Sequence, residues 1–167
     1  MRVILGSDES AIRSREAVRD LEEAITALES VQYRLPAVEL SSGLSRAAAD
    51  HVRDTGSHGL TSHVGADGSS LRQRIERYGA WNGEIAENIV YSTAGPRELV
   101  FQQLVDFGVE NRGHRRTLLN PAWRYVGVAC GPHTVYRTMC VLDFASYYQA
   151  SIVSSRSAPG DRPGKHR

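Results

Sequence analysis

Apolar positions recur at helical spacing between about residues 10 and 28, where Val18, Leu21, Ala24, Ile25 and Leu28 alternate with Arg and Glu. That spacing predicts a first helix. Leu35-Pro36 interrupts it, because the residue before a proline avoids the helical region. Ser41 or Ser42 is placed to cap a second helix with Leu44, Ala47, Ala48 and Val52 as its apolar stripe. A polar, glycine-rich stretch over residues 55–68 follows and holds His58, His63 and Asp67. A short third helix is predicted from Ser69 or Ser70, with Leu71, Ile75 and Tyr78 on one face and Gly79 as its C-cap.

Residues 85–91 read as a strand around the polar pair Glu87-Asn88. Pro96 suits the first position of a fourth helix, with Leu99, Val100, Gln103, Leu104 and Phe107 inward and Gly108 ending it. Beyond a loop of sequence VENRGHRR, residues 125–130 and 135–144 are strand-like, and Gly131-Pro132-His133 between them reads as a hairpin connection. From Ser151 on, Ser, Pro, Gly and basic residues dominate and apolar periodicity ends. The expected organisation is one domain over residues 1–150 and a disordered polar, basic tail over residues 151–167. Helices followed by antiparallel strands predict an α+β fold or a layered α-β-α arrangement.

Composition adds exclusions. A chain of 167 residues with 41% hydrophobic and 23% charged content is sized and composed for one packed core. A formal net charge of +1, with no basic stripe interleaved with aromatics, argues against nucleic acid as a partner. Apolar runs are far shorter than the roughly 20 residues that span a bilayer, so no transmembrane segment is expected. The opening MRVILGSDES lacks the apolar core of a secretory signal. The expectation is either a protein that stays inside or a leader encoded upstream.

Titratable groups collect in loops and at element ends: His63, Glu87, Asp106, Glu110 and His114. Imidazoles and carboxylates together are the ingredients of a divalent metal site or of acid–base chemistry. No HExxH helix or CxxC pair specifies either, and taken alone a loop histidine is usually solvated.

The strings GEIAENIVYS, RGHRRTLLNP, WRYVGV and MCVLDFA occur in that order, preceded by LSRAAADHV and SHVGADGS. Together, over about residues 15–146, they resemble the bacterial and protist branch of the CAP superfamily, the SCP domain of cysteine-rich secretory, antigen 5 and pathogenesis-related proteins. The resemblance implies an α-β-α sandwich around a small antiparallel sheet, with a cleft lined by two histidines and two acids. His63 then matches the first cleft histidine and Glu87 the glutamate of the family's GEN, although Ala86 replaces its glycine. His114 matches the histidine of the second signature. Asp106 falls where the family has a glutamate at a helix end, with Glu110 as rival. His51 and His58 match nothing in that cleft and read as surface or local structure. His133 reads as a turn residue, Trp81 and Trp123 as packing anchors, and Arg112, Arg115 and Arg116 as a solvated face.

What the resemblance implies for function is a ligand-binding module. Its cleft would take a divalent metal such as zinc on His63 and His114, a lipid or sterol, or both. An alternative is a metal-assisted hydrolase with Glu87 as general base. A third reading is a structural interaction domain with a vestigial cleft. No organic cofactor is implied, and the family's habit is extracellular. The two cysteines depend on strand register. A tight turn at His133 sets Cys130 opposite Tyr136, whereas a turn centred near residue 135 sets it opposite Cys140. The expectation is a Cys130–Cys140 disulfide, since a loop over residues 134–136 is ordinary for a hairpin.

Overall fold

The structure, a computed structural model, describes residues 4–31 and 34–151, with side chains in the first helix from residue 13 on, residue 14 excepted. The tail expected over residues 151–167 therefore lies, but for Ser151, outside the described residues.

The element order is α1 (Ile4–Glu29), β1 (Glu39–Leu40), α2 (Ser42–His58), α3 (Leu71–Glu76), β2 (Gly79–Tyr91), α4 (Pro96–Val105), α5 (Gly113–Leu118), β3 (Tyr125–His133) and β4 (Arg137–Ala150). The four strands lie in the order β1-β3-β4-β2, so β2 is an edge. Strands β2, β4 and β3 pair antiparallel, and the two-residue β1 adds to β3 in parallel. Helices cover both faces. On one, Leu44, Ala47, Ala48 and Val52 of α2, with Ile75 of α3, pack on Ile89, Met139, Val141 and Ala145. On the other, Trp123 is buried and stacks at 5.9 Å on Phe144, and its indole N–H donates to the Thr117 carbonyl of α5. The fold is the expected α+β sandwich.

Local signals placed the helix starts well. Ser41 caps α2 through the Leu44 amide, and Ser70 with Gln73 forms a reciprocal capping box on α3. Pro96 occupies the first turn of α4. Other expectations are corrected. Gly79 begins β2 instead of capping α3, so β2 starts six residues before the strand expected over residues 85–91. Gly131, Pro132 and His133 continue β3, because the Gly-Pro turn signal is overridden by pairing with Met139, Thr138 and Arg137. The turn is Thr134–Tyr136, and the buried His133 takes the Val135 and Tyr136 amides on Nδ1. That register sets Cys130 opposite Cys140, and the two form a disulfide with Cα atoms 4.1 Å apart.

The stripe assigned to α1 faces outward. Val18, Leu21, Ile25 and Leu28 are exposed, and of that stripe only Ala24 is buried, beside Asp20. α4 ends at Val105, short of the expected terminator Gly108; Val100 within it and Phe107 beyond it are exposed where they were expected inside, and the buried position is Gln103. The stretch expected as the VENRGHRR loop carries the start of α5, with Arg115 buried and Arg112 half-buried instead of solvated.

Candidate functional site

His63 stands in the loop between α2 and α3, and Glu87 sits midway along β2. His63 Nδ1 lies 2.8 Å from Glu87 Oε1. The other oxygen, Oε2, accepts from Arg74 Nη2 at 2.6 Å. Glu87 and Arg74 are almost fully buried, whereas the His63 ring is 62% exposed. Arg74 Nη1 also donates to the carbonyls of His63 and Ser69, so one guanidinium ties the carboxylate to the loop that carries its histidine. The loop is held further by Asp54, which accepts from the Ala66 and Asp67 amides, and by the Arg77–Asp67 ion pair. Burial pushes the Glu87 carboxyl up, but the His63 hydrogen bond and the Arg74 charge outweigh it, so its pKa lies below the ordinary value. His63 is raised, chiefly by its hydrogen bond to Glu87 against the opposing effect of burial.

The second pair comes from a different kind of local structure. Asp106 ends α4 in the left-handed conformation, at φ 56°, a strain aspartate tolerates better than most residues. This turns its carboxylate back onto the start of α5. Oδ2 accepts the His114 amide at 2.9 Å and the Arg115 amide at 3.3 Å, while Oδ1 meets His114 Nδ1 at 2.6 Å. The Arg115 side chain binds the carbonyls of Leu104, Val105 and Asp20. Arg112 reaches Asp20, Glu23 and the Asp106 carbonyl. Glu110 is exposed, and the acid that meets His114 is Asp106.

The four residues therefore form two His–carboxylate pairs, not one cluster. Glu87 and Asn88 are consecutive on β2, and successive strand side chains point to opposite faces. Accordingly Glu87 turns to the α2/α3 layer and Asn88 to the α4/α5 layer, where its amide donates to Gln103 Oε1 and to the His114 carbonyl. The pairs flank the free edge of the sheet, joined through this dipeptide. Among the described residues no group of three or more His, Cys, Asp and Glu gathers as metal ligands would. In both histidines Nδ1 is engaged by a buried carboxylate, and Nε2 has no partner among the described residues.

Between β2 and α4 runs a groove of about 390 Å³, walled by Val90, Phe101, Val105 and Phe107, with Ile89 and Tyr91 at its strand edge, and ending at Gln103, Asp106 and His114. Phe101 and Phe107 are about half exposed. Gln103 is buried, its Oε1 accepts from Asn88, and its Nε2 has no partner among the described residues.

Arg74 escaped the sequence reading, and so did two further residues. His51 is fully buried in α2 instead of at the surface, with Nε2 2.8 Å from the Ser62 carbonyl. Asp143 is fully buried directly across the sheet from Glu87. A signal existed for Asp143: it lies in period two with Met139, Val141 and Ala145, a carboxylate at a core position.

The Cysteine-rich secretory protein family model, CAP, matches residues 17–144. The chain belongs to the CAP family. Among solved structures, the CAP chain is similar to an outer surface protein of Borrelia burgdorferi, at 17% identity and a TM-score of 0.56, covering 86% of this chain and 95% of that one. It is also similar to an extracellular protein of Bacillus anthracis that contains an SCP domain, at 22% identity and a TM-score of 0.53. There the match covers 66% of this chain and 34% of the longer protein. No curated protein matches the CAP chain significantly. No helix among the described residues is long and apolar enough to cross a membrane.

Proposed function

We propose that this CAP domain is a ligand-binding module whose groove between β2 and α4 takes an amphipathic ligand of the lipid or sterol class. The observation that carries this is the groove's polarity: an aromatic and aliphatic wall closed at one end by Asp106 and His114. An apolar body is favoured along Val90, Phe101 and Phe107, and the His114 imidazole at the polar end suits a carboxylate or hydroxyl group. The disulfide and the family's habit support work in an oxidising, extracellular setting. The test is fluorescence titration with a naturally fluorescent sterol and, separately, a fluorescent fatty acid. Phe107→Glu alters an exposed wall residue, so folding should be unchanged and affinity should fall about tenfold or more, worth about 1.4 kcal/mol. Absence of saturable binding of either probe, or equal binding by the variant, would overturn this reading.

A second reading is favoured by the state of the two imidazoles. A histidine whose Nδ1–H is held by a carboxylate and whose Nε2 lone pair faces out has the orientation that metal-bound histidines adopt. His63 and His114 would hold a zinc ion, which when bound would supply Lewis acidity. Glu87 and Asp106 fit the carboxylates that orient metal-bound histidines, but two nitrogens are only half of a tetrahedral set. Glu87, buried and bound on both oxygens, suits orienting His63 better than acting as a general base. Calorimetric titration of zinc into metal-free protein should give saturable heat that the His63→Ala/His114→Ala double variant loses. Flat heats in the unaltered protein reject this reading.

A further inference from the structure

Beneath the His63–Glu87 pair lies a polar assembly that ligand binding alone does not call for. Asp143 of β4 and Glu87 of β2 are cross-strand neighbours on the same face, beneath α2. On its other side Asp143 faces Gly127, which brings no side chain. Both Asp143 oxygens are buried, and no N–H or O–H group among the described residues donates to them. The charged and titratable groups turned toward the pair are few. Arg74 of α3 is committed to Glu87, His63 and Ser69. Burial lowers the pKa of His51 of α2, against the Glu87 charge that raises it and with the Arg74 charge, and its Nδ1 has no partner among the described residues. Tyr148 of β4 donates its hydroxyl to the Ile75 carbonyl.

One buried guanidinium thus faces two buried carboxyl groups. Two carboxylates in contact repel, and each is an acceptor only, so a hydrogen bond between them requires a proton. Glu87 already receives a histidine N–H and an arginine N–H, and both favour its charged form. Asp143 receives neither, so the proton belongs there. We infer that Asp143 is a neutral carboxylic acid in the native protein and donates its O–H to Glu87, making it a positioning residue for the His63–Glu87 pair. This rests on the reading of that pair as part of the binding site. Burial and the adjacent Glu87 charge raise the Asp143 pKa well above the ordinary carboxyl value, in agreement with the geometry. Glu87 then holds three donors, its orientation is over-determined, and His63 keeps the Nδ1–H tautomer that leaves Nε2 facing out.

The test uses ligand-free protein, so its outcome is separate from whether any ligand binds. Infrared spectra at neutral pH should contain a protonated-carboxyl C=O band that shifts in heavy water, shifts on 13C-aspartate labelling and disappears in Asp143→Asn. Because that substitution exchanges one neutral donor for another, the His63 pKa followed by NMR should change by less than about 0.3 pH units. A carboxylate at position 143 would make the same variant lower the His63 pKa clearly. Absence of the C=O band in the unaltered protein, a band insensitive to aspartate labelling, or a His63 pKa that falls by about 1 pH unit overturns the inference. Should Asp143→Asn not fold, the labelled unaltered protein decides alone.

Discussion

Arg74→Met should destabilise the domain by about 3–5 kcal/mol, the usual cost of removing one partner from a buried ion pair. Methionine keeps most of the side-chain volume, so the loss isolates the guanidinium. Glu87 would lose its buried cation, and the carbonyls of His63 and Ser69 would lose their donors. The effect has a pH signature. In the unaltered protein the Glu87 pKa is depressed, so its contribution is present above the ordinary carboxyl pKa and is lost as pH falls through the native value. Without Arg74, burial dominates and the same carboxyl becomes easier to protonate. The difference between the two proteins should therefore be largest at neutral pH and narrow below about pH 4. Urea unfolding at several pH values reads both the size and the sign. A loss below about 1 kcal/mol at neutral pH, the range of an exposed pair, would refute the burial argument.

Gly127→Ala should cost about 3 kcal/mol, at the upper end of overpacking penalties. The reason is where α2 crosses β3. A Cβ on Gly127 would stand 2.1 Å from the Leu44 carbonyl carbon and 2.3 Å from the Ser45 nitrogen. Both are backbone atoms, which no rotamer change can move. Leu44 is itself fully buried, so relief requires α2 to lift off the sheet at its first turn. Thermal unfolding should show a drop of about 6–12 °C, given about 2–4 °C per kcal/mol for a domain of this size. A midpoint within about 2 °C of the unaltered protein would mean that α2 has slack the geometry does not reveal.

What was legible in the sequence was what local chemistry decides. The caps at Ser41 and Ser70 and the proline at the head of α4 each settle a helix start within one turn, and the structure places them there. The family strings picked out His63, Glu87 and His114 as cleft residues, but not which histidine meets which acid, because the two members of the His63–Glu87 pair lie on different strings. Long-range register was harder. Gly131-Pro132 carries a strong turn signal, yet the strand continues through it because β4 supplies partners as far as His133. The stripe on α1 was read from spacing alone, but which face packs is decided by Asp20, whose carboxylate takes the Gly108 amide and Arg112. His51 and Asp143 were missed for a shared reason: a polar residue is assigned to the surface unless its partners are known, and theirs lie on other elements.

That attachment of α1 divides the cleft by the length of chain each half must close. His63, Arg74 and Glu87 are bound together across sequence separations of 11 to 24 residues. Asp106 and His114 are only eight residues apart, but the turn that presents them is clamped by α1 across separations of 88 to 95 residues. Closing the longer loop costs more chain entropy, and in folding it is met later than local contacts. One histidine of the cleft is therefore the product of neighbouring chain, and the other is kept in place by the return of the molecule's first helix.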